Sequence, residues 1–244
     1  MTQPPDSPPH GDPGSSPVTA GTARERSTPP RPLWLETLML MGVALVLAVV
    51  VKAFLVQAFY IPSASMNDTL VENDRILVQK VSFWTGAPHR GDIVVFADPG
   101  GWLGPADTST PGPVVEGLER LGLYPAGGHL VKRVIGVGGD QVKCCDSRGR
   151  MSVNGVPLEE ESYLAAGEKP STIDFDVTVS EGYVWVQGDN RSSSADSRVH
   201  LGDPGGGQVP IDDLVGKVFA VVWPLEHAKT LPTPGTFDAV RQPQ

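Results

Sequence analysis

Two serines, Ser63 and Ser65, lie in the segment IPSASM (Ile61–Met66), just after a proline. A serine hydroxyl becomes a nucleophile only when a neighbouring base takes its proton. The five histidines (His10, His89, His129, His200, His227) are scattered, and none shares a motif with a serine or cysteine. No Gly-x-Ser-x-Gly elbow, His-Glu-x-x-His metal box or phosphate loop is present. A serine enzyme built here needs another base, and lysine is the recurrent substitute. At its ordinary pKa of ~10.4 about one lysine in a thousand is neutral near pH 7.5. Desolvation can lower that value by up to ~3–5 units, so the candidate must sit among apolar residues. Lys132 does, within HLVKRVIGV (His129–Val137). Strand alternation puts Leu130 and Val134 on its face and Arg133 on the other. The plain alternatives are an edge-strand lysine that deters aggregation and serines in an ordinary loop. A third polar segment, GDNRSSSADSR (Gly188–Arg198), reads as a solvated loop or as an ion-pair scaffold built from Asp189, Arg191, Asp196 and Arg198.

Such groups need a frame. The chain has 244 residues, enough for one sizeable domain or two small ones, and 40% are hydrophobic. Charged residues make up 19%, while Gly (28) and Pro (24) are abundant, which favours short strands joined by turns over a helical bundle. The net charge of −9 argues against a nucleic-acid binder, which needs a cationic face. Two cysteines, Cys144 and Cys145, are too few for a disulfide scaffold or a four-ligand zinc site. Being adjacent, they could close a ring, pair between molecules or stay as thiols.

The expected strands are 75–81, 92–97, 129–137, 150–155, 183–188 and 217–223, rich in β-branched residues and bounded by turns. Asn154-Gly155 signals a hairpin. The spacing of Val114, Leu118 and Leu121 suits a helix over 113–124, inside an insertion over 99–128. Residues 1–33 hold nine of the 24 prolines and too little apolar surface to order, so they read as a disordered cytoplasmic tail. The apolar run Leu38–Ile61, interrupted by Lys52 and Gln57 and flanked by Trp34 and Tyr60, predicts a transmembrane helix over 34–60. No small-x-small cleavage site follows it, so the span reads as an uncleaved anchor. Arg24, Arg26 and Arg31 place the N-terminus in the cytoplasm and the rest outside it, at the cytoplasmic membrane. The remainder divides into an extracytoplasmic catalytic β-domain (61–226), with a small inserted subdomain near 141–182, and a flexible C-terminal tail (227–244).

Taken in order, IPSASM with MNDTL, RGDIVVF, VKRVIGVGGD and GDNRSSSADSR resemble the boxes of bacterial type I signal peptidase (leader peptidase), a Ser/Lys-dyad serine protease family. The resemblance covers Leu38 to Trp223. It implies an all-β fold of short antiparallel strands in a partly open barrel or coiled sheets, preceded by one transmembrane helix. It further implies a membrane-bound endopeptidase that cleaves signal peptides from exported preproteins after small residues at −1 and −3, through an acyl-enzyme and without cofactor or metal. Carried over by position, Ser65 is the nucleophile and Lys132 the general base. Ser63 and the Ser65 N–H form the oxyanion hole, Ser194 orients the lysine, and Asp196 with Arg198 braces the site. Substrate pockets are lined by Phe59, Ile61, Leu70, Ile76, Val95, Leu130 and Val131. The implied partners are signal-peptide-bearing preproteins, the lipid bilayer and, as a candidate, the secretion translocon, with no nucleic acid. Ala64, Asp68 and Val137-Gly138 depart from the family pattern, where glycine, proline and Leu-Pro are usual. A self-cleaving repressor-type protease and a catalytically dead peptide-binding domain are the competing expectations.

Overall fold

The computed structural model describes residues 33–81, 83, 86–104 and 128–241. The expected disordered tail, apart from Leu33, and the expected helix over 113–124 lie outside these residues. The chain divides into two units, Met1–Gly42 and Val43–Gln244. A single α-helix, α1 (Leu33–Phe54), opens the described chain. Among the described residues no helix is long and apolar enough to cross a membrane, which corrects the expected transmembrane helix over 34–60. The apolar run is shared between two elements. α1 closes at Phe54, and the following residues form strand β1 (Val56–Tyr60), whose backbone pairs with a neighbouring strand instead of continuing the helix. The membrane-bound, single-pass topology, its orientation and the localisation inferred from it are withdrawn with the span.

The second unit is built on antiparallel strands. The larger sheet runs β1, β2 (Arg75–Gln79), β11 (Leu214–Trp223), β3 (Ile93–Ala97), β4 (His129–Val137), β9 (Tyr183–Gln187), β10 (Val209–Pro210), with β12 (Lys229–Thr230) paired to β11. A second sheet orders β7 (Val156–Pro157), β6 (Ser152–Val153), β5 (Gln141–Cys144) and β8 (Phe175–Thr178). β6 and β7 are joined by Asn154-Gly155, whose φ values of 53° and 76° are those the tight hairpin turn requires. β5 and β8 were not expected. In β5 the side chains alternate exposed and buried, and Lys143 on its outer face pairs with Asp176 of β8. Cys144 and Cys145 are bonded to each other.

The larger sheet carries a core on each face. Phe59, Ile61, Met66, Leu70, Ile76, Val78, Ile93, Val95, Val218 and Val221 form one cluster. Val94, Phe96, Leu130, Val134, Val184, Val186 and Val209 form another. A third lies with the smaller sheet and takes in Ile135 and Trp185. The turns RGD and GGD are locked together, because Arg90 donates to both oxygens of Asp140 at 2.6 and 2.5 Å, and both residues are buried. The C-terminal stretch expected to be flexible contributes β12 and buries Phe237 and Val240 in the third core.

Candidate active site

β4 is central in the larger sheet, hydrogen-bonded to β3 on one side and β9 on the other. Its two faces hold adjacent buried cations. Lys132 pairs in register with Val94, and Arg133 pairs with Ile93 and Gln187. Lys132 is 4% exposed, and its Nζ donates to Ser65 Oγ at 2.8 Å and to the Val131 carbonyl at 3.2 Å. No carboxylate oxygen lies within ion-pairing distance of that nitrogen among the described residues, unlike the neighbouring arginine. Burial is the dominant influence on Lys132 and lowers its pKa from 10.5 to about 8. The charges of Asp196 and Asp189 partly restore it, and Arg198 pushes it down.

Ser65 sits in a one-turn 3-10 helix, Ala64–Met66, with Ser63 at its extended entry. Met66 and Leu70 plug this turn into the apolar cluster beneath. The turn is held from above by the Gly188–Arg198 segment. The backbone N–H of Asn190 donates to the Ser65 carbonyl at 3.1 Å, and its side chain donates to the Ala64 carbonyl at 3.0 Å. Gly188 must be glycine, since a Cβ there would lie 2.3 Å from Ser194 Oγ and 2.4 Å from the Ser65 carbonyl. Asn190 and Gly188 were not singled out in the sequence, although both sit in its last polar box. Ser65 is 7% exposed, whereas Ser63 faces solvent with its Oγ 3.3 Å from Ser65 Oγ. Near the start of its helical turn, Ser65 has a backbone N–H with no intrahelical acceptor.

Asp196 and Arg198 form a two-pronged buried pair, Nε to Oδ1 at 2.9 Å and Nη2 to Oδ2 at 2.8 Å. Burial alone would raise the Asp196 carboxyl, but Arg198, the Gly188 N–H and Ser194 together hold it below the ordinary carboxylate range. Ser194 is buried and near Asp196, yet its hydroxyl meets no partner at full hydrogen-bond geometry and makes no bond to Lys132. The orienting bond expected of it is therefore absent here, because the lysine ammonium turns to Ser65 and Val131 instead. The four charges of the last box do not pair only with one another. Asp189 takes two hydrogen bonds from Arg133, at 2.8 and 2.6 Å, and one from Thr69. Arg191 reaches Glu160 at 2.6 Å.

Of the residues assigned to substrate pockets, Phe59, Ile61, Leu70, Ile76 and Val95 share one cluster, with Val131 packed against it. Leu130 does not join them. It lies in the cluster of the opposite sheet face with Val94 and Phe96, as its alternation with Val131 requires. Asp68 has a φ of 71°, and its carboxylate accepts the Ala166 N–H at 2.7 Å, so the turn that lacks the usual proline is tied by a side chain.

The family model for signal peptidase, peptidase S26, matches residues 34–223. Signal peptidase I of Mycobacterium tuberculosis (strain ATCC 25618 / H37Rv) is 38% identical over 228 residues, covering 80% of this chain and 76% of that protein. A probable signal peptidase I-2 of Synechocystis is 34% identical over 226 residues, covering 92% of this chain and 88% of its own. Signal peptidase I U of Bacillus subtilis is 31% identical over 199 residues, covering 78% and 89%. A match across most of the chain, with relatives similar along most of their own length, makes this protein a member of the signal peptidase family, peptidase S26, and a serine endopeptidase.

Proposed function

We propose that the protein removes signal peptides from secreted preproteins, with Ser65 as nucleophile and Lys132 as general base. The 2.8 Å bond between Lys132 Nζ and Ser65 Oγ, buried and with no carboxylate partner for the amine among the described residues, carries this reading. With a pKa of about 8, roughly one lysine in ten is neutral at pH 7, against a few in ten thousand at the ordinary value. The neutral amine accepts the Ser65 proton as Oγ attacks the scissile carbonyl. Negative charge then develops on the carbonyl oxygen, toward which the Ser65 N–H and the Ser63 hydroxyl donate; in comparable sites one such donor contributes ~2.7–4 kcal/mol. Collapse of the intermediate expels the amine of the mature chain, protonated by Lys132, and leaves an acyl-Ser65 ester. Water, activated by the same lysine, hydrolyses it.

The cleaved segment binds extended, with alternate side chains entering pockets formed around Phe59, Ile61, Leu70, Ile76, Val95 and Val131. Phe59, Ile61, Leu70, Ile76 and Val95 are buried and Val131 is half-buried, so only shallow space is open to a substrate, which favours small residues at −1 and −3. Asp196 with Arg198 keeps the loop over the lysine in place. Delivery of the substrate by the secretion translocon is a finer part of the same reading.

The test is cleavage of a purified preprotein bearing alanine at −3 and −1. Wild type cuts once at the signal junction, and Ser65→Ala and Lys132→Met each lose at least about a thousandfold in kcat/KM while keeping the folded circular dichroism spectrum. Wild-type cleavage by either folded variant overturns the assignment.

A further inference from the structure

Against the Gly188–Arg198 segment lies a cavity of about 240 Å³ lined by Gly167, Glu168, Lys169, Thr172, Arg191, Ser192 and Arg198. At about 30 Å³ per water its volume equals that of roughly eight waters, enough for a phosphate-sized ion with part of its hydration shell. Three of the lining residues are cationic. Its single carboxylate, Glu168, commits both oxygens to the N–H and hydroxyl of Ser192, at 2.7 and 2.6 Å. Each of the three Arg191 nitrogens has a partner: the Gly188 carbonyl, the Pro170 carbonyl and Glu160. Arg198 leaves one nitrogen over. Its Nε goes to Asp196, its Nη2 to Asp196 and the Arg191 carbonyl, and Nη1 has no hydrogen-bond partner among the described residues, although the residue is 4% exposed. The Lys169 ammonium is exposed at the rim, with no carboxylate within ion-pairing distance among the described residues.

The unpartnered Nη1 of buried Arg198, the exposed Lys169 and the Thr172 hydroxyl line one small cavity, in which three cations stand against a single carboxylate already engaged by Ser192. That is the chemistry that recognises a tetrahedral oxyanion. The geometry points to a regulatory site for a free phosphate-sized oxyanion, held by Lys169 and Arg198 and read out at Lys132. The coupling rests on Lys132 being the base, whereas the binding does not. The charged groups acting on Lys132 are Asp196, Asp189 and Arg198, and Arg198 is the one that helps keep it neutral. An anion bound to Arg198 offsets that positive field and adds a negative one, so the lysine holds its proton to higher pH. A rise of half a unit cuts the neutral fraction about threefold below pH 8.

Calorimetric titration of the full chain with inorganic phosphate at pH 7.0, with chloride matching the ionic strength, tests the site. The expected result is saturable binding of one phosphate, weakened at least about tenfold in Lys169→Ala, whose cleavage without phosphate equals that of wild type. Absence of saturable binding, or equal affinity in Lys169→Ala and Thr172→Val, overturns the site. In the parallel assay, saturating phosphate slows wild-type cleavage about threefold at pH 7.0 and not at pH 9.5. Binding without that slowing overturns the coupling. These outcomes are separable from the proposed mechanism, whose failure appears as activity in Lys132→Met, with phosphate binding unchanged.

Discussion

Two cations stand side by side on β4, and the protein treats them in opposite ways. Arg133 is buried against Asp189 through two short hydrogen bonds, donates a third to the Gly91 carbonyl and lies over the Tyr163 ring at 4.4 Å. Lys132, equally buried, is given a hydroxyl and a carbonyl and, among the described residues, no carboxylate within ion-pairing distance. The first arrangement keeps a charge and uses it as structure. The second makes the charge costly, as the proposed role of general base requires. Burial alone therefore does not decide what an ionisable side chain does; the partner supplied to it does.

Breaking the Arg133 side of this contrast should have the largest effect on stability. Arg133→Met leaves Asp189 buried with the Thr69 hydroxyl as its remaining side-chain hydrogen-bond donor among the described residues, and the folded state should lose about 3–5 kcal/mol, measured by urea unfolding. Removing Lys132 should act with the opposite sign. Its pKa is lower in the folded protein than in the unfolded chain, so the protonated form is penalised by folding. The penalty is full below about pH 8 and fades as pH rises toward the unfolded value near 10.5. Lys132→Met should thus be more stable than wild type at pH 6, by up to about 3 kcal/mol for a shift of some 2.5 units, and lose that advantage by pH 10.5. An advantage over wild type no larger at pH 6 than at pH 10.5 would show that burial does not disfavour the charged lysine.

The smallest change concerns the clamp between the two polar boxes. Asn190→Ala deletes the bond to the Ala64 carbonyl and keeps the backbone bond to Ser65. Stability should fall by about 1 kcal/mol. Because the turn that carries Ser65, the proposed nucleophile, is then held less firmly, kcat should drop about tenfold with KM unchanged in the preprotein assay.

Much of the local chemistry is legible in the sequence. The expected strand over 129–137 has the bounds of β4, because its β-branched run is closed by turn residues at both ends. Asn154-Gly155 announced the β6–β7 turn through its need for positive φ. The error over 34–60 arose from a continuous apolar run, which carries no period to separate a helix from a buried strand. Pairing of Val56–Tyr60 with β2 decided the matter, and that partner lies beyond any local window. The same limit hid the partners of the last polar box. Asp189 finds Arg133 and Arg191 finds Glu160, far along the chain, so an alternation of charges could not reveal which pairs form. Leu130 entered the pocket set together with Val131 through the family resemblance, yet neighbours in a strand face opposite ways. The burial of Phe237 and Val240 had no signal stronger than two apolar residues in a Pro-rich end.

The most direct measurement follows the Lys132 side chain itself through titration, by carbon-detected NMR of isotopically labelled lysine in the folded enzyme, with Lys132→Met assigning the resonance. The account predicts a midpoint near 8, and in Ser65→Ala a value still well below 10, since burial rather than the serine sets it. A midpoint at or above 10 in the folded wild-type enzyme would contradict the claim that this amine is the base.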